Sequence, residues 1–364
     1  MADGRRGVSK GPAALVRDEV RALSAYHVSP AEGLVKLDAM ENPYRLPPEL
    51  AARMATALAG VEVNRYPDPS GTRVKRRLRE AMAIPDSLDL LLGNGSDEVL
   101  QMISLALARP GAVALALEPS FVMYRIAAVA AGLRYVGVRL RPDFTLDEGA
   151  LLEAVARERP ALTWIAYPNN PTGNLFPREA ILRLVAVSPG LVAVDEAYYA
   201  FSGGASLLDE VGRHPNLLLV RTVSKLGLAG LRLGLAIGAP EWIAELEKLR
   251  MPYNVNSLSA AAADVLLANR EVFARQTAAI VAERSRLEGA LDALPGVTRF
   301  PSAANFVLVR VADGAGAFER LRERGILVRT FHGTHPLLAN CLRLTVGTPD
   351  ENSRMLEALA STLR

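Results

Sequence analysis

Residues 220–234 read V-R-T-V-S-K-L-G-L-A-G-L-R-L-G, with Lys225 set among apolar, small and hydroxyl residues. Thr222 and Ser224 precede it, Arg232 follows, and Gly227, Gly230 and Gly234 let the backbone bend and pack closely. Other lysines sit differently: Lys36 and Lys75 lie among charged or surface-like residues, and Lys248 falls on a helical face in E-L-E-K-L-R. An amine in an apolar pocket loses its proton more readily and becomes a nucleophile. Hydroxyls before it and an arginine after it suit a phosphate, which a guanidinium can bind through two parallel hydrogen bonds. Together these predict a lysine that forms a Schiff base with pyridoxal 5'-phosphate (PLP). A lysine capping a core strand near a turn fits the same stretch, so the other motifs must decide.

The 364 residues suffice for a large core and predict two domains. Half are hydrophobic, which makes the chain globular rather than disordered. With 42 basic and 39 acidic residues the net charge is only +3, too little to point to a nucleic-acid partner. The basic helix predicted at R-V-K-R-R-L-R-E, opened by Ser70-Gly71-Thr72, has no interleaved aromatics for base stacking and reads as a solvated face. A single cysteine, Cys341, rules out an intrachain disulfide and fits a reducing compartment. The polar N-terminus lacks a signal-peptide core, and no run is long and apolar enough to span a bilayer. The expectation is a cytoplasmic protein with no membrane partner.

From residue 88 to 250, apolar runs alternate with helical stretches. Strands are predicted at 89–92, 112–117, 134–139, 162–167, 191–195, 217–221 and 235–238, and helices at 96–108, 120–131, 147–157 and 177–186. That alternation predicts an α/β fold with a mostly parallel sheet covered on both faces, and a ligand site beyond the carboxyl ends of its strands. The segment 13–25 has helical spacing, prolines at 43, 47 and 48 predict an extended crossing segment, and 48–59 restarts a helix. Toward the end the pattern changes. A helical tract over 257–293, broken near Arg270, precedes strand-like segments at 297–310, 326–330 and 341–346 with helices at 314–323 and 350–363. This predicts a large domain, 57–262, and a smaller α+β domain made of 1–56 and 263–364.

Polar motifs cluster at the predicted strand ends. G-N-G-S-D-E (93–98) opens a helix and offers backbone N–H groups to an anion. It is not a dinucleotide fingerprint, because the third glycine is missing. E-P-S-F-V-M-Y (118–124) puts Phe121 where it can stack on a flat ring, or pack in the core. Y-P-N-N-P-T-G (167–173) is a stiff turn that can aim Asn170 into a site. V-A-V-D-E-A-Y (192–198) ends a buried strand on Asp195, a carboxylate that needs a partner; a protonated pyridine nitrogen, an arginine or a helix cap would each serve. His332 and His335 are three apart without an evident third ligand, and no G-x-S-x-G elbow exists, so no metal or hydrolase triad is expected.

The set of glycine turn, P-N-N-P-T-G, D-E-A-Y and S-K-L-G-L-A-G-L-R, in that order, resembles the fold-type I, PLP-dependent aminotransferases of class I/II. L-D-A-M-E-N-P-Y (37–44), N-R-Y-P-D (64–68) and C-L-R-L-T-V-G-T-P-D-E-N (341–352) are similar to the branch that transaminates L-histidinol phosphate in histidine biosynthesis. The resemblance runs from about residue 26 to the C-terminus. It implies a three-layer fold and a role for each matching residue. Lys225 holds PLP, Asp195 pairs with the ring nitrogen, Asn170 and Tyr198 bond the ring oxygen, and Phe121 stacks on the ring. Gly95, Ser96, Asp97, Thr222, Ser224 and Arg232 surround the cofactor phosphate, which Tyr66 reaches from the other subunit of a homodimer. Tyr26, Asn170, Arg329 and Arg343 contact the substrate. The implied amino acceptor is 2-oxoglutarate, released as glutamate. Two features depart from the family pattern: six residues, one fewer than in many relatives, separate Lys225 from Arg232, and the arm reads D-A-M-E-N where N-x-N-E-N is commoner.

An aromatic-amino-acid aminotransferase or a threonine-phosphate decarboxylase would keep these PLP residues and change the substrate loop around 331–337. A nicotinamide-dependent oxidoreductase leaves Lys225 unexplained. A non-catalytic regulator of the same fold is expected to need a further DNA-binding region, for which 364 residues leave no room.

Overall fold

Two sheets carry the chain. The computed structural model describes residues 11–25 and 29–363. In chain order the strands are β1 (Val35–Leu37), β2 (Asp89–Asn94), β3 (Val113–Glu118), β4 (Arg134–Arg139), β5 (Leu162–Ala166), β6 (Leu191–Asp195), β7 (Leu217–Thr222), β8 (Leu233–Gly238), β9 (Thr298–Arg299), β10 (Phe306–Arg310), β11 (Ile326–Thr330) and β12 (Cys341–Thr345). The larger sheet has the order β2-β8-β7-β6-β5-β3-β4. Its β7-β6-β5-β3-β4 run is parallel throughout, and β8 is antiparallel to both β7 and β2.

Apart from the partly exposed edge strand β4, these strands are buried on both faces, which explains their near-continuous apolar sequences. Successive residues point to opposite layers. Leu90, Leu92, Leu217 and Leu219 pack with Leu78, Leu151 and Ile181 from helices Thr72–Met82, Glu148–Glu158 and Arg178–Val187. Leu91, Leu218 and Val220 pack on the other side with Val99, Ala127 and Leu246, from helices Ser96–Ala106, Met123–Ala131 and Pro240–Glu247. The fold is therefore three-layered α/β, as expected.

The smaller sheet has the order β1-β11-β12-β10-β9. β12 is antiparallel to β10 and β11, while β1 joins β11 in parallel, with Val35 opposite Ile326. The strand β1 is too short to stand out in the sequence. The long helix Arg270–Asp292 runs past both cores: Phe273 packs in the first, and Ile280, Leu287 and Leu291 in the second.

The single helix expected over 13–25 is absent. Two four-residue turns, Pro12–Leu15 and Asp18–Arg21, flank an extended Val16, and neither turn buries a residue. A segment this short is marginal as a helix without a packed face. Among the described residues no helix is long and apolar enough to cross a membrane.

Candidate active site

The carboxyl ends of β2, β3, β5, β6 and β7 open into one cavity of about 440 Å³. Lys225 stands in the short 3₁₀ turn Ser224–Leu226 directly after β7. Its Nζ donates to the Ala39 carbonyl at 3.3 Å and lies 5.9 Å from the Tyr198 ring centroid. Burial, helped by the charges of Arg343 and Arg232, lowers its pKa to about 8, against the pull of Glu41 and Asp97. The lysine thus gives up its proton more readily than an ordinary lysine.

Asp195 ends β6 and is only 5% exposed. Its Oδ2 accepts from the Tyr124 hydroxyl at 2.8 Å and its Oδ1 from the Ala197 N–H at 3.0 Å. Burial pushes its pKa up to about 6 although both hydrogen bonds act the other way. A buried carboxylate with only neutral donors is poorly compensated, and a cationic ring nitrogen is the type of partner it lacks. Beside it, Glu196 is fully buried but matched: Arg221 donates to its Oε2 from Nε at 2.9 Å and from Nη2 at 2.8 Å.

Asn170 lines the cavity, and Arg343 stands behind it, outside the lining. The Asn170 amide donates to the Tyr198 hydroxyl at 3.2 Å, and its oxygen accepts from Arg343 Nη1 at 2.6 Å. Arg343 Nη2 donates to the Asp38 carbonyl at 2.7 Å, and the guanidinium lies over the rings of Phe306 and Phe331. Arg329 is the cross-strand partner of Arg343, so both side chains leave the same face of the small sheet. Phe121 lines the cavity edge-on to Tyr124, with ring centroids 5.7 Å apart.

An anion cradle lies at the start of helix Ser96–Ala106. Gly95 caps it at φ 84°, and its N–H donates to the carbonyls of Gly93 and Arg232. A Cβ on Gly95 would fall 2.4 Å from Arg232 Nη2, and one on Gly234 would fall 2.2 Å from the Ser96 nitrogen. Only glycine lets the guanidinium and strand β8 come this close. Arg232 itself has φ 51°, an uncommon conformation for a residue with a side chain. That turn carries its guanidinium to 3.5 Å from Asp97 across the six-residue spacing from Lys225. Thr222 Oγ1 lies 2.9 Å from Ser224 Oγ and 3.1 Å from the Leu233 carbonyl. A helix N-terminus, two hydroxyls and a guanidinium are together a set that could hold a phosphate.

The chain matches the model for aminotransferases of class I and II over residues 32–359. The chain belongs to that family. Two of its relatives are histidinol-phosphate aminotransferases: one from Chromobacterium violaceum, 54% identical over 95% of this chain and 97% of its own, and a second from Cupriavidus pinatubonensis, 53% identical over 96% and 97%. At this likeness the aminotransferase belongs, within the class, to the histidinol-phosphate branch. Its structure superposes with a TM-score of 0.85 on histidinol-phosphate aminotransferase from Sinorhizobium meliloti, solved in complex with PLP, at 25% identity over 95% of this chain and 96% of that one.

The aminotransferase brings Ser96, Asp97, Phe121, Asn170, Asp195, Tyr198, Thr222, Ser224, Lys225 and Arg232 to one cavity, with Gly95 under the guanidinium. Tyr66 is not among them. It is 81% exposed and stacked on Tyr253 at 4.5 Å, beside a separate cleft. Tyr26 lies outside the described residues. The sequence reading missed Tyr124, although it stands three residues after Phe121 in the same motif, and it missed Ala39, Met40 and Glu41, which line the cavity from the arm. His335 accepts from the Leu337 N–H through Nδ1. Among the described residues no group of three or more His, Cys, Asp or Glu is placed to hold a metal.

Proposed function

We propose that this protein is a PLP-dependent histidinol-phosphate transaminase, acting in the cytoplasm in histidine biosynthesis. It moves an amino group between L-histidinol phosphate and 2-oxoglutarate, giving imidazole acetol phosphate and glutamate. The observation that carries the reading is that Lys225 and Asp195 line one cavity together with the glycine-lined anion cradle between β2 and β8. The residues fit the cofactor: a basic, buried carboxylate for a ring nitrogen, an amine of lowered pKa for an aldehyde, and a cradle that a Cβ would fill. When bound, PLP supplies an electron sink for negative charge at the substrate carbon.

The chain supplies the rest. Gly95, Ser96, Asp97, Thr222, Ser224 and Arg232 hold the phosphate. Asp195 holds a proton on the ring nitrogen, Asn170 and Tyr198 bond the ring oxygen, and Phe121 covers the ring. Lys225 Nζ, neutral once released, takes the proton from the substrate carbon that bears the amine. Arg329 and Arg343, with Tyr26, bind the anionic end; a guanidinium matches both a phosphate ester and a carboxylate, so one site can serve both substrates. The reading includes a homodimer in which Tyr66 completes the partner's phosphate site, a role its exposure supports. It also includes a division into 57–262 and 1–56 with 263–364, supported by the strand that the arm lends to the second sheet.

The test is an absorption spectrum of the purified protein before and after L-histidinol phosphate, with no keto acid present. A visible cofactor band that bleaches is expected. Bleaching with phenylalanine or tyrosine alone would move the function to aromatic transamination. No band even after added PLP would overturn the reading.

A further inference from the structure

We propose that Tyr124 is a positioning residue for Asp195: its hydroxyl orients the carboxylate and weakens it as a base, so that the shared proton stays on the cofactor's ring nitrogen. The proposal rests on the PLP reading above and extends it to a residue that reading does not use.

Each oxygen of Asp195 has one neutral donor, the Tyr124 hydroxyl on Oδ2 and the Ala197 N–H on Oδ1. The charged groups acting on Asp195 are Asp97, from the helix after β2, and Glu196, its neighbour in sequence, and both favour protonation. The charge of Glu196 is met by Arg221. Burial alone would make Asp195 a strong competitor for a pyridine proton. A hydroxyl donor lowers that basicity without cancelling the negative charge that the ring nitrogen needs.

Tyr124 is built to do this. It is 1% exposed, in the first turn of helix Met123–Ala131, and its ring stacks on fully buried Trp164 at 5.3 Å and 4°. The stack fixes the ring, so the hydroxyl has one aim. Burial, with the proximity of Asp195, raises the phenol's own pKa well above the usual tyrosine value, so it stays a donor across the working pH range.

The test uses the enzyme loaded with PLP labelled with ¹⁵N in the ring. In the wild type the nitrogen resonance is expected at its protonated value. In Tyr124→Phe, which keeps the ring and the stack, it should move toward the neutral-pyridine value. In ¹³C-labelled apoprotein the Asp195 titration midpoint, assigned by its loss in Asp195→Asn, should rise by roughly one unit when the donor is removed. Replacing Tyr124 by 3-fluorotyrosine, a stronger donor, should lower it. The proposal is overturned if Tyr124→Phe binds PLP with both readouts unchanged. Should that variant not fold, an unchanged midpoint with fluorotyrosine overturns it equally. A wild-type nitrogen at the neutral value would instead remove the assignment of Asp195 itself.

Discussion

Arg343 Nη1 donates to Asn170 Oδ1 at 2.6 Å, tying the second sheet to the loop after β5. On the proposed reading, substrate anion and cofactor oxygen would be read by one connected set, since the same amide also donates to Tyr198. Arg343→Lys removes the fork that makes this bond and the one to the Asp38 carbonyl. Losing a charge-assisted hydrogen bond costs about 1.5–3 kcal/mol, so KM should rise roughly 10- to 100-fold. The increase should appear for both L-histidinol phosphate and 2-oxoglutarate in steady-state assays. An effect on one substrate only would refute a shared anion site.

Lys225→Ala should cut turnover by about 10²–10⁴-fold or more, because it removes the general base as well as the covalent anchor. Substantial retained activity would sink the assignment. The apoprotein gives a second check. A folded-state pKa of about 8, below the ordinary 10.5, makes the unfolded chain bind more protons between those values. The Lys225 contribution to stability therefore rises with pH from about 8 upward, and Lys225→Met should abolish that slope in urea titrations.

Asp195 has the opposite sign. Its folded-state pKa is about 6 against 3.8, so the native apoprotein binds more protons between them. Stability from this group is present at low pH and is lost as pH rises through 6, by about 3 kcal/mol. The difference in unfolding free energy between wild-type and Asp195→Asn apoproteins should show this fall between pH 4 and 7. A flat difference would mean that the carboxylate is not buried as described.

Gly95→Ala places a methyl 2.4 Å from Arg232 Nη2 at a φ of 84°. The guanidinium must move away, and the backbone conformation costs about 1–2 kcal/mol more for alanine. The expected result is weaker PLP retention on dialysis, with a modest loss of thermal stability. Unchanged retention would show that Arg232 does not hold the phosphate.

Arg221→Met leaves Glu196 buried and uncompensated. Removing one partner of such a pair costs about 3–5 kcal/mol, whereas replacing both is often close to neutral. Glu196→Gln with Arg221→Met should therefore recover most of the loss in urea unfolding. A double variant as unstable as the single would point to packing on Tyr199 as the main contribution of Arg221.

The alternation of apolar strands and helices in the sequence foretold the large-sheet strands; the inner ones are apolar throughout because they are buried on both faces, while edge strand β4 is partly exposed and has an arginine at each end. The site residues on that sheet were readable for a related reason. Strand ends are fixed by the strands, so Asp195 and Asn170 had to lie at one edge. The two terminal turns at 12–21 were not readable, because helical spacing alone cannot say whether a face will be buried. Nor was β1, whose three residues pair with a strand nearly 300 positions away. Tyr124 was overlooked because its partner, Asp195, is 71 residues distant and only packing brings hydroxyl to carboxylate.

The sequence by itself determined the family, the lysine proposed to carry the chemistry, and the layered α/β order, since these follow from residue type and local period. Tertiary structure alone decided what each group is worth. Burial moved Lys225 down and Asp195 up, the turn at Arg232 brought its guanidinium over Gly95, and the second sheet set Arg343 against Asn170. Desolvation and close approach depend on what surrounds a group in space, and neighbours in the chain do not specify that.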